Sequence, residues 1–143
     1  MRLSKSRSSG STVSKLLLYV LLGTATVYGP YDGSPLFCDR DGSMIYGEVE
    51  GPWVAIDKSL YESGWARCGD LLRIEGDGWE LEGRALDAGY LLDYQVQDWP
   101  GPIVVDIPIH LAPFELTWGP YTSAPARVIN LTAGLRLDLQ CLR

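Results

Sequence analysis

The sequence has little of what metal and redox sites need. It contains one histidine, His110, and three cysteines, and no two cysteines are spaced as CxxC. A Cys/His zinc site is therefore not expected, and we predict neither a metal nor a cofactor. No glycine-rich loop lies between a strand and a helix, as a phosphate site requires. A GxSxG motif is missing too, so a serine hydrolase has no support.

Hydrophobic runs are short. The run Leu16–Leu22 follows a basic, Ser-rich stretch; it is too short to span a bilayer but suits the core of a signal peptide. Because Gly23–Ala25 supplies small residues for a cleavage site, we predict that residues 1–25 are a signal peptide or an N-terminal membrane anchor. The protein is then secreted or held in the cell envelope. The same residues are also compatible with a buried first strand, and the two interpretations conflict at residues 24–29.

Export would permit a disulfide, for which Cys38 and Cys68 are the best candidates, with Cys141 left free. An odd number of cysteines is weak support for either an oxidising or a reducing compartment.

Positive charge is scarce outside the N-terminus. The whole chain carries a net charge of −6 and residues 1–25 carry +4, which leaves −10 for residues 26–143. Such a body repels nucleic acid, and no basic stripe offsets the repulsion, so we expect no nucleic-acid partner. An anionic polymer would need a local cation, whereas a neutral polysaccharide is compatible with this charge.

Turn-forming residues are abundant, with sixteen glycines and nine prolines among the 143 residues. They divide the chain into short pieces, which is typical of a single all-β domain. Apolar alternation predicts about six strands, among them 71–74 and its return strand after a Gly-Asp-Gly turn. Residues 58–70 are expected to form one or two helical turns or a compact loop. Residues 133–143 are expected to be a C-terminal tail or an added strand.

Two aspartates, Asp87 and Asp106, each end an apolar, β-prone run. Because strands end at turns and aspartate favours turns, both can be structural. They can instead face one cleft, where the apolar neighbours of Asp106 would desolvate its carboxyl group and raise its pKa.

Aromatic residues are the second signal, with five tryptophans and eight tyrosines. Tyr90 and Trp99 lie in predicted loops, and Tyr28 and Tyr31 flank a Gly-Pro turn. Such rings either pack in a core or stack on the apolar faces of sugars, and the loop positions favour sugar contact.

Several segments together resemble double-psi β-barrel domains. TATVYGPYDG is similar to the opening strand of rare lipoprotein A and the barwin-like proteins, and PWVAIDKSLYESGWARCGDLLRIEG is similar to their next block. RALDAGYL and IVVDIPIHLAPF resemble the later segments, in which aspartates follow strands. Asp57, Asp87 and Asp106 match the 3D domain, which membrane-bound lytic transglycosylase A shares, while the RCGD block is more similar to barwin and expansins.

The resemblance implies a mainly β fold for residues 26–132, a six-stranded double-psi β-barrel with one or two short helices. It also implies an exported protein that acts on cell-wall polysaccharide and cleaves the glycan strands of peptidoglycan. Asp106 would be the catalytic acid and Asp87 a second catalytic acid. The expected substrate-binding residues are Tyr28, Tyr31, Asp57, Tyr90 and Trp99, although for Asp57 the favoured role is structural, holding turn amides where its strand ends.

A non-catalytic, polysaccharide-binding barrel of the expansin or barwin type is the alternative. In either case we expect a monomer with cell-wall polysaccharide as its partner, and the N-terminus is where any membrane association would arise. The site decides between the two functions, because one fold can carry both.

Overall fold

The computed structural model describes residues 19–29, 35–40, 52–91, 102–116 and 123–141. Within these ranges the chain forms six β-strands, three α-helices and two 3-10 turns. The strands are β1 (Val20–Tyr28), β2 (Trp53–Asp57), β3 (Leu71–Gly76), β4 (Trp79–Gly89), β5 (Ile103–Pro108) and β6 (Ser123–Asn130). The helices are α1 (Phe37–Arg40), α2 (Lys58–Glu62) and α3 (Leu131–Cys141), and the 3-10 turns are Ile109–Leu111 and Phe114–Leu116.

The six strands close into a barrel with the order β1-β5-β2-β4-β3-β6. β1 and β5 run parallel, as do β2 and β4, and the other neighbours are antiparallel. Exchanging the first three strands with the last three leaves this pairing order unchanged, so two topologically equivalent halves build the barrel. The prediction of a mainly β, six-stranded double-psi barrel with short helices is confirmed.

The barrel interior is filled by alternate residues of the strands, because successive side chains of a strand point to opposite faces. Burying one such Val, Leu or Ile side chain stabilises the fold by about 1.5–3 kcal/mol. The residues between them face outward and are available for a site. The inward-facing core residues without exposed surface are Ala25, Val54, Ile56, Leu72, Ile74, Ala85, Val105, Ile107 and Val128.

The predicted turn between β3 and β4 is present at Asp77 and Gly78. Gly78 has a φ of +81°, a conformation that favours glycine. A β-carbon at Gly76 would collide with the indole ring of Trp79. Glycine at this position therefore lets the indole of Trp79 fold back onto the barrel, where it is 8% exposed.

The C-terminal segment differs from the sequence prediction, because α3 occupies the residues expected to form a tail or an added strand. A closed barrel has no free edge to which another strand could pair. Asn130 starts the helix instead, since its side-chain oxygen accepts a 2.9 Å hydrogen bond from the amide of Ala133. Arg136 then fastens α3 to the barrel through two hydrogen bonds to Asp70 of 2.9 and 3.0 Å.

The N-terminal strand overlaps the predicted signal segment. β1 begins at Val20, and its residues up to Ala25 fall within the range 1–25. Thr24 and Ala25 are buried, and the strand is paired with both β5 and β6. Cleavage after Ala25 thus stays a prediction, and it would remove much of a strand. Of the helices in the described ranges, none combines the length and the apolar character needed to cross a bilayer.

Candidate functional site

A row of residues in register crosses four neighbouring strands of the barrel wall. Thr26 of β1 pairs with Asp106 of β5. Ala55 of β2 pairs with Asp106 on one side and with Asp87 of β4 on the other. Residues paired in this way project to the same face of a sheet. The two acids therefore flank the small side chain of Ala55, with their Cα atoms about 9–10 Å apart at the usual strand spacing.

Two β-bulges create this row. β4 carries one extra residue, Leu86, opposite the step that ends at Ala55. A similar irregularity at Val104 precedes Asp106 in β5. A bulge re-aims the side chains that follow it. Without these extra residues, neither Asp87 nor Asp106 would occupy its place in the row.

Asp106 lies on the outer face of the barrel, between two residues that are fully buried inside, Val105 and Ile107. The hydroxyl group of Thr26 donates a 2.9 Å hydrogen bond to its Oδ1. Burial raises the pKa of Asp106 from 3.8 to about 6, the bond from Thr26 opposes the rise, and the charge of Asp87 adds to it. This carboxyl group therefore holds its proton in mildly acidic solution, where an exposed aspartate has lost it.

Asp87 is held by groups from three segments. Its Oδ2 accepts a 3.3 Å bond from the hydroxyl of Tyr28, and its Oδ1 accepts a 3.1 Å bond from the amide of Phe37. Its backbone oxygen accepts a 2.9 Å bond from the hydroxyl of Tyr61. Burial, and then the charges of Asp87 and Asp70, raise the pKa of Tyr61, so this hydroxyl stays a donor. The orientation of Asp87 is thus fixed, while that of Asp106 depends on Thr26.

A second, small core lies outside the barrel wall beside Asp87. Its buried members are Leu36, Cys38, Trp53 and Leu86. The predicted disulfide between Cys38 and Cys68 is present, with a Cα–Cα distance of 5.8 Å. It joins α1 to the turn before β3, and α1 in turn packs against β4.

Removing this disulfide is expected to destabilise the protein. It closes a loop with a sequence separation of 30 residues, for which the chain-entropy estimate is about 3–4 kcal/mol of folding free energy. We expect the Tm of a Cys38→Ser/Cys68→Ser variant to fall by roughly 10 °C. Differential scanning calorimetry measures this, and Cys141→Ser is the control. Thiol titration of the denatured, unreduced wild type should find one free thiol, and three free thiols would contradict the bridge.

Tyr90 is the predicted binding residue with the most open side chain, 63% exposed at the end of β4. The ammonium group of Lys58 lies 5.8 Å from its ring centroid. The two side chains line a shallow concavity together with Phe37, Ala88 and Gly89. Since Ala88 and Gly89 directly follow Asp87 in β4, the concavity adjoins Asp87 at the end of this strand.

Asp57 has the structural role that its place in the sequence favours. It is 5% exposed and ends β2 as the N-cap of α2. Its Oδ2 accepts bonds from the amide of Ser59 at 3.0 Å and from the Ser59 hydroxyl at 2.5 Å. Direct substrate contact by Asp57 stays an untested prediction.

The remaining predicted residues have different outcomes. Tyr28 lies at the site, where its ring is 6.4 Å from that of Trp53. Tyr31 and Trp99 lie outside the described residues. The exposed His110 is 6.0 Å from Trp53, centroid to centroid.

Sequence reasoning missed Thr26, Tyr61 and the amide of Phe37. Thr26 carried a weak signal, because it alternates with Thr24 and Tyr28 along a predicted strand. Tyr61 carried none, since its bond to Asp87 joins positions 26 residues apart. No group of three or more His, Cys, Asp or Glu side chains in the described part of the chain is arranged to hold a metal ion.

Comparison with known proteins adds little to this geometry. No family model and no curated protein matches the sequence. Solved structures similar to the chain include an apo expansin from Clavibacter michiganensis, with 18% identity and a TM-score of 0.46. A mutant of that expansin in complex with cellohexaose has 16% identity and a TM-score of 0.47. Each alignment covers 78% of this chain and 50% of the expansin chain, so the chain spans about half the length of these expansins.

Proposed function

We propose that this protein acts on cell-wall polysaccharide and cleaves the glycan strands of peptidoglycan, with Asp106 as the general acid and base. The observation that carries the proposal is the carboxyl group of Asp106, half-buried on the outer face of the barrel and aligned with a second acid across Ala55. Its pKa of about 6 keeps it protonated in mildly acidic solution, as proton donation to a glycosidic oxygen requires.

One acid suffices for a lytic transglycosylase reaction. Asp106 donates its proton to the glycosidic oxygen, and the bond from that oxygen to the anomeric carbon breaks as positive charge develops on the sugar ring. A hydroxyl group of the same sugar then attacks the anomeric carbon, and the Asp106 carboxylate takes the hydroxyl proton. The products are a free hydroxyl on one fragment and an anhydro-sugar on the other, and no water is consumed.

Asp87 and Thr26 assist in this scheme. The charge of Asp87 helps to raise the pKa of Asp106 and also favours the positive charge that develops on the sugar ring. The hydroxyl of Thr26, 2.9 Å from Oδ1, orients the carboxyl group. Tyr90 offers an exposed ring on which a sugar can stack.

Export is part of the proposal, and the Cys38–Cys68 disulfide supports it. Disulfides persist in oxidising compartments and are rare in the cytosol. The cleavage point of the predicted N-terminal signal stays open.

A non-catalytic polysaccharide-binding barrel is the second candidate. The exposed ring of Tyr90, next to a concavity without deep walls, favours it. In this case the two acids would hydrogen-bond sugar hydroxyl groups rather than transfer protons.

The test is a digest of purified bacterial sacculi. We expect soluble fragments with anhydro-sugar ends, detected by mass spectrometry. Because Asp106 must be protonated, the rate should fall about tenfold per pH unit once the pH exceeds its pKa near 6. A rate that stays level from about pH 5 to pH 8 would rule out Asp106 as the acid. Binding to sacculi without release of fragments would support the second candidate.

A further inference from the structure

The concavity beside Asp87 combines two kinds of recognition. One wall is the exposed ring of Tyr90, which can stack on the apolar face of a sugar. The ammonium group of Lys58 lies over part of the same ring, 5.8 Å from its centre, as a cation–π contact. A sugar stacked on the open part of the Tyr90 ring, beside Lys58, would bring a negatively charged substituent within reach of the ammonium group.

Lys58 has no local counter-ion in the described part of the chain. The ion pairs there engage Arg73, Arg127 and Arg136, and none includes Lys58. The neighbouring carboxylate of Asp57 is turned into the cap of α2, where it accepts the bonds from Ser59. The positive charge of Lys58 lies in a body that carries −10 over residues 26–143, and it supplies the local cation that an anionic glycan would need.

The position of this concavity relates it to the row of acids. Phe37, which lines it, donates its amide to the carboxylate of Asp87 at 3.1 Å. Ala88 and Gly89, which also line it, follow Asp87 in β4. A glycan bound at Asp87 can therefore extend along β4 to the concavity that Lys58 and Tyr90 line.

From this geometry we propose that Lys58 and Tyr90 form a subsite for a carboxylate-bearing sugar, one residue of the glycan away from the acids. The inference rests on the proposed function and narrows its substrate class to acidic glycans. Two cell-wall chemistries supply such a carboxylate: a uronic acid carries it at C6, and a peptidoglycan strand carries it on the lactyl ether at O3 wherever the peptide has been removed.

The test compares two pairs of glycans, each with one neutral member and one member whose sugars carry carboxylate groups. Cellohexaose and its C6-oxidised form, a hexamer of β-1,4-linked glucuronic acid, make the first pair. Chitohexaose and a peptidoglycan strand of the same length with its peptides removed make the second. Dissociation constants are measured calorimetrically at low salt for the full chain, for Lys58→Met and for Lys58→Arg. Arg67→Met is the control, because it removes the same charge from an exposed residue that does not line the concavity.

We expect the wild type to bind the acidic member of at least one pair about two- to fivefold more tightly, the range of an exposed ion pair. The pair that shows the preference identifies the source of the carboxylate. Lys58→Met should bring the ratio of the two dissociation constants, neutral glycan over acidic glycan, close to one. Lys58→Arg and Arg67→Met should leave this ratio at the wild-type value.

A ratio that persists in Lys58→Met, or that Arg67→Met removes equally, overturns the subsite in favour of a general charge effect. Equal binding of acidic and neutral glycans by the wild type also overturns it and leaves the proposed function standing. If none of the four glycans binds and sacculi are not cleaved, the subsite and the proposed function fall together.

Discussion

Replacing Asp106 by asparagine is expected to lower the rate of glycan cleavage by about 10²- to 10⁴-fold, the usual contribution of a general acid and base. Asparagine keeps the size of the side chain and an oxygen that accepts the bond from Thr26, but it has no proton to donate to a glycosidic oxygen. The rate of fragment release from sacculi measures the effect. Asp77→Asn, in the exposed turn between β3 and β4, is the matched control and should retain full activity.

The fold of this variant should be at least as stable as that of the wild type. Folding raises the pKa of Asp106 from 3.8 to about 6, so the contribution of this group to stability falls as the pH rises through that window. Asparagine does not ionise, so the Tm of the variant should match that of the wild type below about pH 4 and exceed it at pH 7. The difference at pH 7 corresponds to about 1–2 kcal/mol in the free energy of unfolding, after allowance for the partial exposure of Asp106. Inactivity with a lowered Tm at pH 7 would point to misfolding rather than to lost proton transfer.

Deleting residues 1–25 is expected to prevent cooperative folding. The deletion removes Val20–Ala25 from β1 and so eliminates six of the seven residue pairs between β1 and β6. The barrel then opens between these strands, leaves backbone groups of β6 unpaired and uncovers the core around Val128. Losses of this kind are comparable with the whole stability of a small domain, about 5–15 kcal/mol.

Thermal unfolding of two truncated chains checks this expectation. Residues 19–143 keep β1 whole and should unfold in a single transition close to that of the full chain. Residues 26–143 should show no such transition. If both unfold at the same temperature, the first half of β1 is dispensable, and cleavage after Ala25 becomes compatible with a closed barrel. Mass spectrometry of the exported protein would then locate the cleavage site independently.

Much of the barrel could be predicted because its strands carry local signals. Val54 and Ile56 alternate with outward residues, and the β3–β4 hairpin is marked by its glycines. The helix α3 could not be predicted in the same way. Its leucines alternate like those of a strand, and only the closure of the barrel, a long-range property, removes the edge that such a strand would need.

The candidate site was predictable in its acids but not in their surroundings. Asp87 and Asp106 are conspicuous because each ends an apolar run. Their alignment across Ala55 depends on two bulges, which no local pattern marks. Thr26 reaches Asp106 across 80 positions of sequence, so the hydrogen bond that orients the acid exists only once the barrel has formed.

The equivalence of the two barrel halves has a consequence for how such a site can evolve. When the two halves are exchanged, the position of Asp106 corresponds to that of Ala55, and the position of Asp87 corresponds to that of Thr26. Equivalent positions in the two halves therefore carry side chains of different chemistry. A dimer of two identical three-stranded chains could not do this, because every substitution would appear twice. An aspartate at the paired position would then face its own copy at a Cα distance of about 5 Å, and the two negative charges would repel each other. Joining both copies in one chain lets one become the acid while the other keeps the small side chain beside it.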